Sequence, residues 1–325
     1  MNATQQVRDA KVLGRQAVAL PLALATTIAG AAPAAAQAAG AAPTPGNVWS
    51  AWSWDPLVLL GIVAAAAVYA RGLRVFWRRV GIGRGVRAWQ AAAYAGGLAA
   101  LVVALVSPLD ALAEALFAAH MVQHLVLMLV AAPLLVLGAP LVPALWALRR
   151  GRRHALGRWW RQARSLRAAW AALSQPGVVW ALYAATLWLW HVPVLYQAAL
   201  ASAPIHALEH LTLLATALLF WWTALHPGRS GRLGHGLGVL YVFTAGLQSG
   251  LLGILLTFAR APWYPAYAPG EAAWGLSPLE DQQLAGLLMW VPGGLAHLLA
   301  ALALFAVWLA GAEREARRRE RAAEV

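Results

Sequence analysis

Seven long apolar stretches constrain the fold of this chain more than any other feature of its sequence. They occupy residues 56–77, 88–106, 116–137, 176–196, 204–225, 236–259 and 283–310. Each is long enough to cross the hydrocarbon core of a bilayer as an α-helix, which takes about 20 residues. Helices are required because backbone polar groups in lipid must be hydrogen-bonded within the segment itself. The sequence therefore predicts an all-α fold, a polytopic membrane bundle of seven transmembrane helices.

The composition excludes a soluble enzyme as the default interpretation. Only 11% of the 325 residues are charged, whereas 61% are hydrophobic. A soluble protein of this size carries about 25% charged residues, so this chain cannot build a water-facing surface. Cysteine is absent, which excludes disulfides, thiolate metal ligands and cysteine nucleophiles.

The first 38 residues have the pattern of a signal peptide. Three basic residues precede an apolar stretch over 17–30, and the small-x-small pattern Ala36-Gln37-Ala38 follows. We expect cleavage there because the apolar stretch is short for a bilayer span; an uncleaved first helix is the alternative. The predicted divisions are a signal peptide over 1–38, a periplasmic tail over 39–55, the seven-helix domain over 56–310 and a basic cytoplasmic tail over 311–325.

Arginine is concentrated in alternate linkers of the predicted bundle. It is frequent over residues 71–87, 149–167, 229–232 and 314–321, while the other linkers carry mainly acidic residues. Because basic loops stay in the cytoplasm, we predict a mature N-terminus outside and a cytoplasmic C-terminus. This placement accounts for the net charge of +13 through topology and attraction to the lipid bilayer. It gives no reason to expect a nucleic-acid partner.

Five histidines fall in one shallow layer of the predicted bundle. At 1.5 Å of rise per residue, they lie roughly 3–12 Å below the outer boundary of three different spans. The layer consists of His120, His124, His191, His206 and His210. Two pairs are four residues apart and so share a helix face, a familiar way to hold one metal ion. Because ionisable residues within spans are costly and usually functional, we predict a metal site. The alternative is that these histidines hydrogen-bond to one another, to carbonyls or to water.

Polar and softer side chains surround this layer. Glu209 and Gln123 adjoin the histidines in sequence but are expected to point away from the histidine face. Met128 continues the face of His120 and His124, and Met289 and His297 share a face of the last span. Methionine stripes are usually core packing, so Met128, Met289 and His297 are secondary candidates for metal ligands.

The loop before the last span is rich in aromatic residues, namely Trp263, Tyr264, Tyr267 and Trp274. We interpret this loop as part of an aromatic belt at the membrane–water interface. A lid over the histidine layer is the alternative.

Several short motifs, spread over residues 52–310, resemble those of one bacterial membrane family. They are Trp52-Ser53-Trp54-Asp55-Pro56, His120-Met121-Val122-Gln123-His124-Leu125, Ala132-Pro133-Leu134-Leu135, Gly138-Ala139-Pro140, Trp190-His191-Val192-Pro193-Val194-Leu195-Tyr196, His206-Ala207-Leu208-Glu209-His210 and Asp281-Gln282-Gln283-Leu284-Ala285-Gly286 with Met289-Trp290. Together they resemble the CtaG-type cytochrome c oxidase assembly factors. The resemblance implies a seven-span protein of the bacterial inner membrane that is needed to mature a haem–copper oxidase, with a role in copper handling. It points to the five histidines and, at lower weight, to Asp281, Gln282 and Met289 as site residues.

Three functions are consistent with these features. The first is an assembly factor, without catalytic residues, that binds copper through the outer histidines and delivers it to cytochrome c oxidase subunits or to other assembly factors. The second is an intramembrane zinc hydrolase with three histidine ligands and Glu209 or Asp281 as general base. The third is a b-type haem protein with axial histidines from different helices. Without cysteine, tight capture of copper(I) is disfavoured, and transient binding suits a carrier.

Overall fold

The computed structural model describes residues 43–226 and 233–323, which form helices and connecting turns without a strand. The predicted signal peptide over 1–38 and the arginines of 229–232 lie outside the described residues. In chain order the α-helices are α1 (Pro56–Val80), α2 (Ala88–Leu105), α3 (Pro108–Ala115), α4 (Phe117–Leu137), α5 (Leu141–Ala147), α6 (Arg150–Gln162), α7 (Arg164–Leu173), α8 (Pro176–Trp190), α9 (Pro193–Ala201), α10 (Ala203–Leu225), α11 (His235–Thr257), α12 (Ala268–Ala273), α13 (Pro278–Trp290) and α14 (Pro292–Ala323).

The number of membrane spans agrees with the sequence prediction. Six helical segments of the described chain are long and apolar enough to cross a membrane, with α13 and α14 together counting as one of them. The bent pair α8 and α9 supplies a seventh when it is counted as a single span. The predicted all-α, polytopic membrane bundle is therefore confirmed.

Local sequence signals set where several helices begin. Asp55 caps α1 by accepting hydrogen bonds from the first backbone N–H groups of the helix, which have no partner within it. Ser107 caps α3 in the same way. At α13, Ser277 and Glu280 form a reciprocal capping box. Proline occupies the first position of all three helices, where its missing N–H costs nothing.

The fourth apolar stretch is broken rather than continuous. We expected one helix over residues 176–196, but α8 ends at Trp190 and α9 begins at Pro193 after a bend of 72°. Pro193 has no backbone N–H to continue α8 and disfavours helical backbone at the residue before it. The bend leaves His191 at the end of α8 and lets Tyr196 on α9 lie fully buried against the bundle.

A π-helical turn over Val126–Ala131 interrupts the regular hydrogen bonding of α4. Pro133 lies within α4, which continues to Leu137 and ends before Pro140. Within the π-turn, the N–H of Ala132 bonds the carbonyl of Leu127. The next carbonyl, that of Met128, would be paired with the N–H that Pro133 lacks. The indole of Trp221 on α10 donates to it instead, at 2.8 Å, which ties α4 to α10 immediately below the histidines.

The last span is also longer and less regular than expected. The sequence predicted a helix over 283–310, whereas α13 starts at Pro278, and α14 begins at Pro292 and runs on to Ala323. The helix therefore extends through most of the predicted basic tail. α13 packs closely on α11, because Gly253 and Gly286 face each other across the crossing. A Cβ atom at Gly286 would lie 2.5 Å from the carbonyl oxygen of Gly253.

The two ends of the bundle differ in chemistry. At the end that we call the arginine end, Trp146 on α5 lies under the guanidinium groups of Arg79 and Arg153, and Arg71 donates to the Ala147 carbonyl. At the opposite end, which we call the histidine end, α4, α10 and α13 begin and α8 ends. The histidine end therefore brings together the sequence segments from which site residues were predicted.

Candidate metal centre

Four of the five predicted histidines form one cluster between α4 and α10. The ring centroids of His120 and His124 are 4.3 Å apart, as are those of His206 and His210. Across the two helices, His120 lies 5.3 Å from His206 and His124 lies 5.3 Å from His210. Both pairs are spaced by four residues, so each helix presents two imidazoles on one face. These four side chains therefore converge, as their spacing and depth predicted.

The distances between ligand atoms suit a bound metal ion. One ligand atom from each of His120, His124 and His210 lies within 4.8 Å of the others, and the same holds for His120, His206 and Glu209. Nitrogen ligands at about 2.0–2.1 Å from a tetrahedral ion lie about 3.4 Å from one another. Modest side-chain rotations therefore bring either triad to coordination distance. The two triads share His120.

Glu209 corrects an expectation from the sequence. We expected its side chain to point away from the histidines, but its two carboxylate oxygens lie 3.8 Å from Nε2 of His120 and 3.7 Å from Nε2 of His124. Glu209 follows His206 by three residues, a spacing that also places side chains on one helix surface. Its side chain is 0% exposed. The cluster is thus four imidazoles with one carboxylate, and we call it the His/Glu centre.

The His/Glu centre contains buried polar atoms without hydrogen-bonding partners among the described residues. These atoms are Nδ1 of His124, Nε2 of His206, Nε2 of His210 and both carboxylate oxygens of Glu209. An unpaired buried polar group costs about 1–3 kcal/mol, and more when it is charged. Several such atoms in one buried cluster are unfavourable unless a cation binds among them. The donor set therefore fits a metal ion.

Tyrosines from the loop and from α9 cover this cluster. The Tyr267 hydroxyl lies 3.1 Å from Nδ1 of His120 and 2.8 Å from the Tyr196 hydroxyl, and the Tyr264 hydroxyl donates to the His191 carbonyl. All three tyrosines are buried. Burial raises the pKa of Tyr267 well above its usual value, which keeps the phenol protonated. Tyr267 therefore contacts a histidine of the cluster, as the lid alternative expects, while Tyr264 contacts the His191 backbone. Tyr196, at the end of the Trp190–Tyr196 motif, was missed as a site residue.

His191 lies apart from the His/Glu centre. Its Nδ1 lies 2.7 Å from the Leu187 carbonyl, and its Nε2 lies 3.3 Å from the sulfur of Met121. The bend after α8 turns the ring toward the middle of the bundle. Depth alone placed His191 in the same layer as the other histidines, but its position at the break between α8 and α9 directs it to a different set of partners.

Asp281 and Gln282 support the site without joining it. Both oxygens of Asp281 accept hydrogen bonds from the first two N–H groups of α4, on Phe117 and Ala118, at 2.6 and 3.1 Å. Gln282 accepts a hydrogen bond from the Trp263 N–H at 2.5 Å. Asp281 thus caps the helix that carries His120, and Gln282 holds the loop that carries the covering tyrosines.

Gln123 belongs to a separate polar network between α4, α2 and α3. Its amide donates to the Ala104 carbonyl and to Asp110, each at 2.7 Å, and Ser53 donates to the other oxygen of Asp110 at 2.5 Å. Gln123 therefore points away from the histidines, as expected. Burial raises the pKa of Asp110 to about 6, although both hydrogen bonds oppose the shift.

The secondary candidates Met128, Met289 and His297 share a small cavity deeper in the bundle. Met121, His124 and His191 line the same cavity. Its volume is about 20 Å³, and a cavity needs about 10–15 Å³ to hold one water molecule. We call it the methionine chamber. Met121 was missed because it lies off the face defined by His120 and His124.

Comparisons with known proteins agree with the motifs. A family model described as cytochrome c oxidase caa3 assembly factor matches residues 67–311, which confirms the resemblance. Two similar proteins are Uncharacterized protein Mb0105 of Mycobacterium bovis and Uncharacterized protein MT0111 of Mycobacterium tuberculosis. Each is 27% identical over 296 residues, covering 87% of this chain and 43% of the relative. The chain thus spans less than half the length of these relatives. No solved structure matches.

Proposed function

The chain belongs to the cytochrome c oxidase caa3 assembly factor family, and from that premise we propose that it binds copper at the His/Glu centre and delivers it to a haem–copper oxidase. The observation that carries the proposal is the convergence of four imidazoles and one carboxylate whose buried polar atoms have no hydrogen-bonding partner among the described residues. Copper is the cargo in this function, so the residues need to hold it and then release it.

The chemistry of the ligands favours transient binding. Imidazole and carboxylate suit copper(II) and zinc, whereas thiolates, which this chain lacks, give tight copper(I) capture. His120 and His124 on α4 face His210 on α10, and Glu209 supplies a negative charge to offset that of the cation. Because the two helices contribute ligands separately, a small movement of α10 would open the site and release the ion.

The zinc hydrolase alternative draws on Glu209, which lies close enough to the histidines to serve as general base. Hydrolysis also requires a substrate to reach the metal. His120 is 1% exposed, and Tyr267 contacts it and hydrogen-bonds to Tyr196, so these tyrosines restrict the approach of a peptide or ester to this ligand. The burial of the site therefore favours carriage of an ion over hydrolysis.

The haem alternative fits this arrangement poorly. Axial nitrogens bind from opposite faces of the macrocycle, with the iron and its flat ring between them. Nε2 of His120 and Nε2 of His124 are 2.9 Å apart, and the rings of His120 and His206 are in close contact. A macrocycle between α4 and α10 would require the helices to separate.

The distribution of the arginines supports one orientation of the bundle. We propose that the arginine end lies in the cytoplasm and the histidine end at the outer face of the bacterial inner membrane, because basic loops are retained inside. The His/Glu centre then lies within a few residues of the outer boundary. An oxidase subunit or another assembly factor would receive copper from that side.

The test compares substitutions that remove a ligand with substitutions that keep a hydrogen-bonding group. We expect His124→Ala and His210→Ala to lose copper, measured as metal content of detergent-purified protein, and to lower oxidase activity in membranes with haem content largely retained. His124→Gln and His210→Gln should not restore either, because an amide is a much poorer metal ligand. His154→Ala, at an exposed position on α6, is the control. Full copper content and full oxidase activity in the double alanine variant would remove the proposal.

A further inference from the structure

The methionines of this chain are placed very unevenly. The sequence contains four, and the three other than Met1 all line the methionine chamber. Met121 and Met128 come from α4, and Met289 comes from the last turn of α13, so the thioethers approach from two different helices. Three histidines, His124, His191 and His297, belong to the polar part of the lining. A core that needed only apolar filling would have no reason to concentrate every described methionine around three histidines.

The contact between His191 and Met121 is not a satisfactory hydrogen bond. A carbonyl oxygen only accepts, so the 2.7 Å contact of Nδ1 with the Leu187 carbonyl requires the proton of the neutral imidazole to reside on Nδ1. Nε2 then carries a lone pair and faces the Met121 sulfur at 3.3 Å. A thioether has no proton to donate. Two electron-pair donors therefore face each other at close range with no hydrogen between them.

The separation of these two atoms matches a pair of ligands on one metal ion. With a metal–nitrogen distance of about 2.0 Å and a metal–sulfur distance of about 2.3 Å, tetrahedral geometry places the two ligand atoms about 3.5 Å apart. The observed distance is 3.3 Å. His297 is oriented in the same way, since its Nδ1 lies 2.9 Å from the Gly293 carbonyl. Its Nε2 lone pair is then free to accept from Tyr183, which lies 3.4 Å away.

We propose that the methionine chamber is a second metal site, which binds a soft monovalent cation, copper(I), through Nε2 of His191 and the sulfur of Met121. Met128 and Met289 supply further thioethers from the same wall. Thioether and imidazole ligands select copper(I) over hard cations, and the chamber is large enough for a bare ion but not for a hydrated one. The proposed ligand atoms differ from those of the His/Glu centre, because they come from α8, α13 and a neighbouring strip of α4.

The test measures copper(I) binding by the full-length chain purified in detergent under reducing conditions. Affinity is obtained by competition with a chromophoric copper(I) chelator, and the ligands are identified by X-ray absorption at the copper edge. We expect sulfur in the first coordination shell of the wild type. The triple variant Met121→Leu, Met128→Leu, Met289→Leu should lose that sulfur signal and bind copper(I) at least about tenfold more weakly, since disturbing even outer-shell partners costs 10–100-fold.

Methionine-to-leucine substitutions conserve volume and are well tolerated in cores, so the triple variant is expected to fold. Leu127→Met, a buried position on α4 outside the chamber, is the matched control and should bind as the wild type does. Should the triple variant fail to elute as a monodisperse peak, the wild-type absorption spectrum and Met121→Leu alone decide the question. A first shell without sulfur, or unchanged affinity in a folded methionine variant, overturns the proposal.

The same experiment separates this site from the His/Glu centre. His210→Ala should abolish copper(II) binding at the centre and leave the copper(I)–sulfur signal intact, because His210 does not line the chamber. The triple methionine variant should show the reverse. If both variants still bind copper(II) as the wild type does, the proposed function is refuted, while the copper(I)–sulfur signal still supports the methionine chamber.

Discussion

Substitution of Asp281 tests whether this residue positions a metal ligand or is itself a metal ligand. Its two oxygens accept hydrogen bonds from the N–H groups of Phe117 and Ala118. Leu116, at the N-cap position of α4, has no side-chain acceptor for them. Asp281 is 0% exposed, so water does not readily replace the carboxylate when it is removed. The start of α4, one turn before His120, therefore depends on a residue 164 positions away in sequence.

The expected loss of stability follows from these two bonds. A hydrogen bond to a charged group contributes about 1.5–3 kcal/mol, and loss of a helix cap costs about 0.5–2 kcal/mol. We expect Asp281→Ala to cost about 3 kcal/mol and Asp281→Asn, which keeps one oxygen, roughly half of that. At about 2 °C per kcal/mol for a chain of this size, the apparent Tm in detergent should fall by about 6 °C and 3 °C.

The effect on metal binding should be indirect. Displacement of His120 is expected to weaken copper(II) binding by about 10–100-fold, as for other residues that orient ligands, while the electron paramagnetic resonance spectrum of bound copper(II) stays unchanged. His124→Ala, by contrast, should change that spectrum. Glu280→Gln, an exposed acid in the same helical turn, is the control and should leave affinity unchanged. A changed spectrum in Asp281→Asn would show that Asp281 is itself a ligand and refute this reasoning.

Three further outcomes test the packing and the electrostatics. Gly286→Ala should force α13 away from the Gly253 backbone and prevent stable expression, whereas Gly294→Ala, with open space around it, should have no effect. Burial raises the pKa of Asp110 to about 6, so protonation of Asp110 stabilises the fold by about 2–3 kcal/mol below about pH 4, and this stabilisation is lost as the pH rises through 6. Asp110→Asn should therefore flatten the profile of Tm against pH between pH 4 and 7. Trp221→Phe removes the hydrogen-bond donor to the Met128 carbonyl, which the π-turn leaves without a backbone partner. The variant should lose about 1–3 kcal/mol of folding free energy, measured as a lower Tm, and an unchanged Tm would contradict this role of Trp221.

The sequence predicted the helical bundle and most of the His/Glu centre because both depend on periodicity. Apolar length defines spans, and a spacing of four residues defines a shared face, so His120, His124, His206 and His210 could be brought together without a structure. Glu209 was misjudged because only the four-residue spacing was considered, although it lies three residues after His206.

Other features depend on tertiary contacts that periodicity does not contain. The partner of Asp281 is the start of a helix far away in sequence, and no local pattern identifies it. His191 shares the depth of the other histidines, but the break before Pro193 sets its direction. The proline was visible in the sequence and is the signal from which that bend could have been predicted. Tyr267 looked like a belt residue because composition does not reveal which side of a loop faces inward.

The arrangement of α4 links the two proposed sites through one histidine. At about 100° of rotation per residue, taking His120 as the origin, His124 lies near 40°, Met128 near 80° and Met121 near 100°. His124 therefore stands between the His/Glu centre and the methionine chamber, and it is the one histidine that belongs to both sets. Its Nε2 faces His120, while its Nδ1 has no hydrogen-bonding partner among the described residues. We expect His124→Ala to weaken copper(II) and copper(I) binding together, whereas His210→Ala and Met121→Leu each weaken only one. Titrations of the three variants with copper(II) and copper(I) test this expectation. If His124→Ala weakens the binding of only one of the two ions, the two sites are not joined at this side chain.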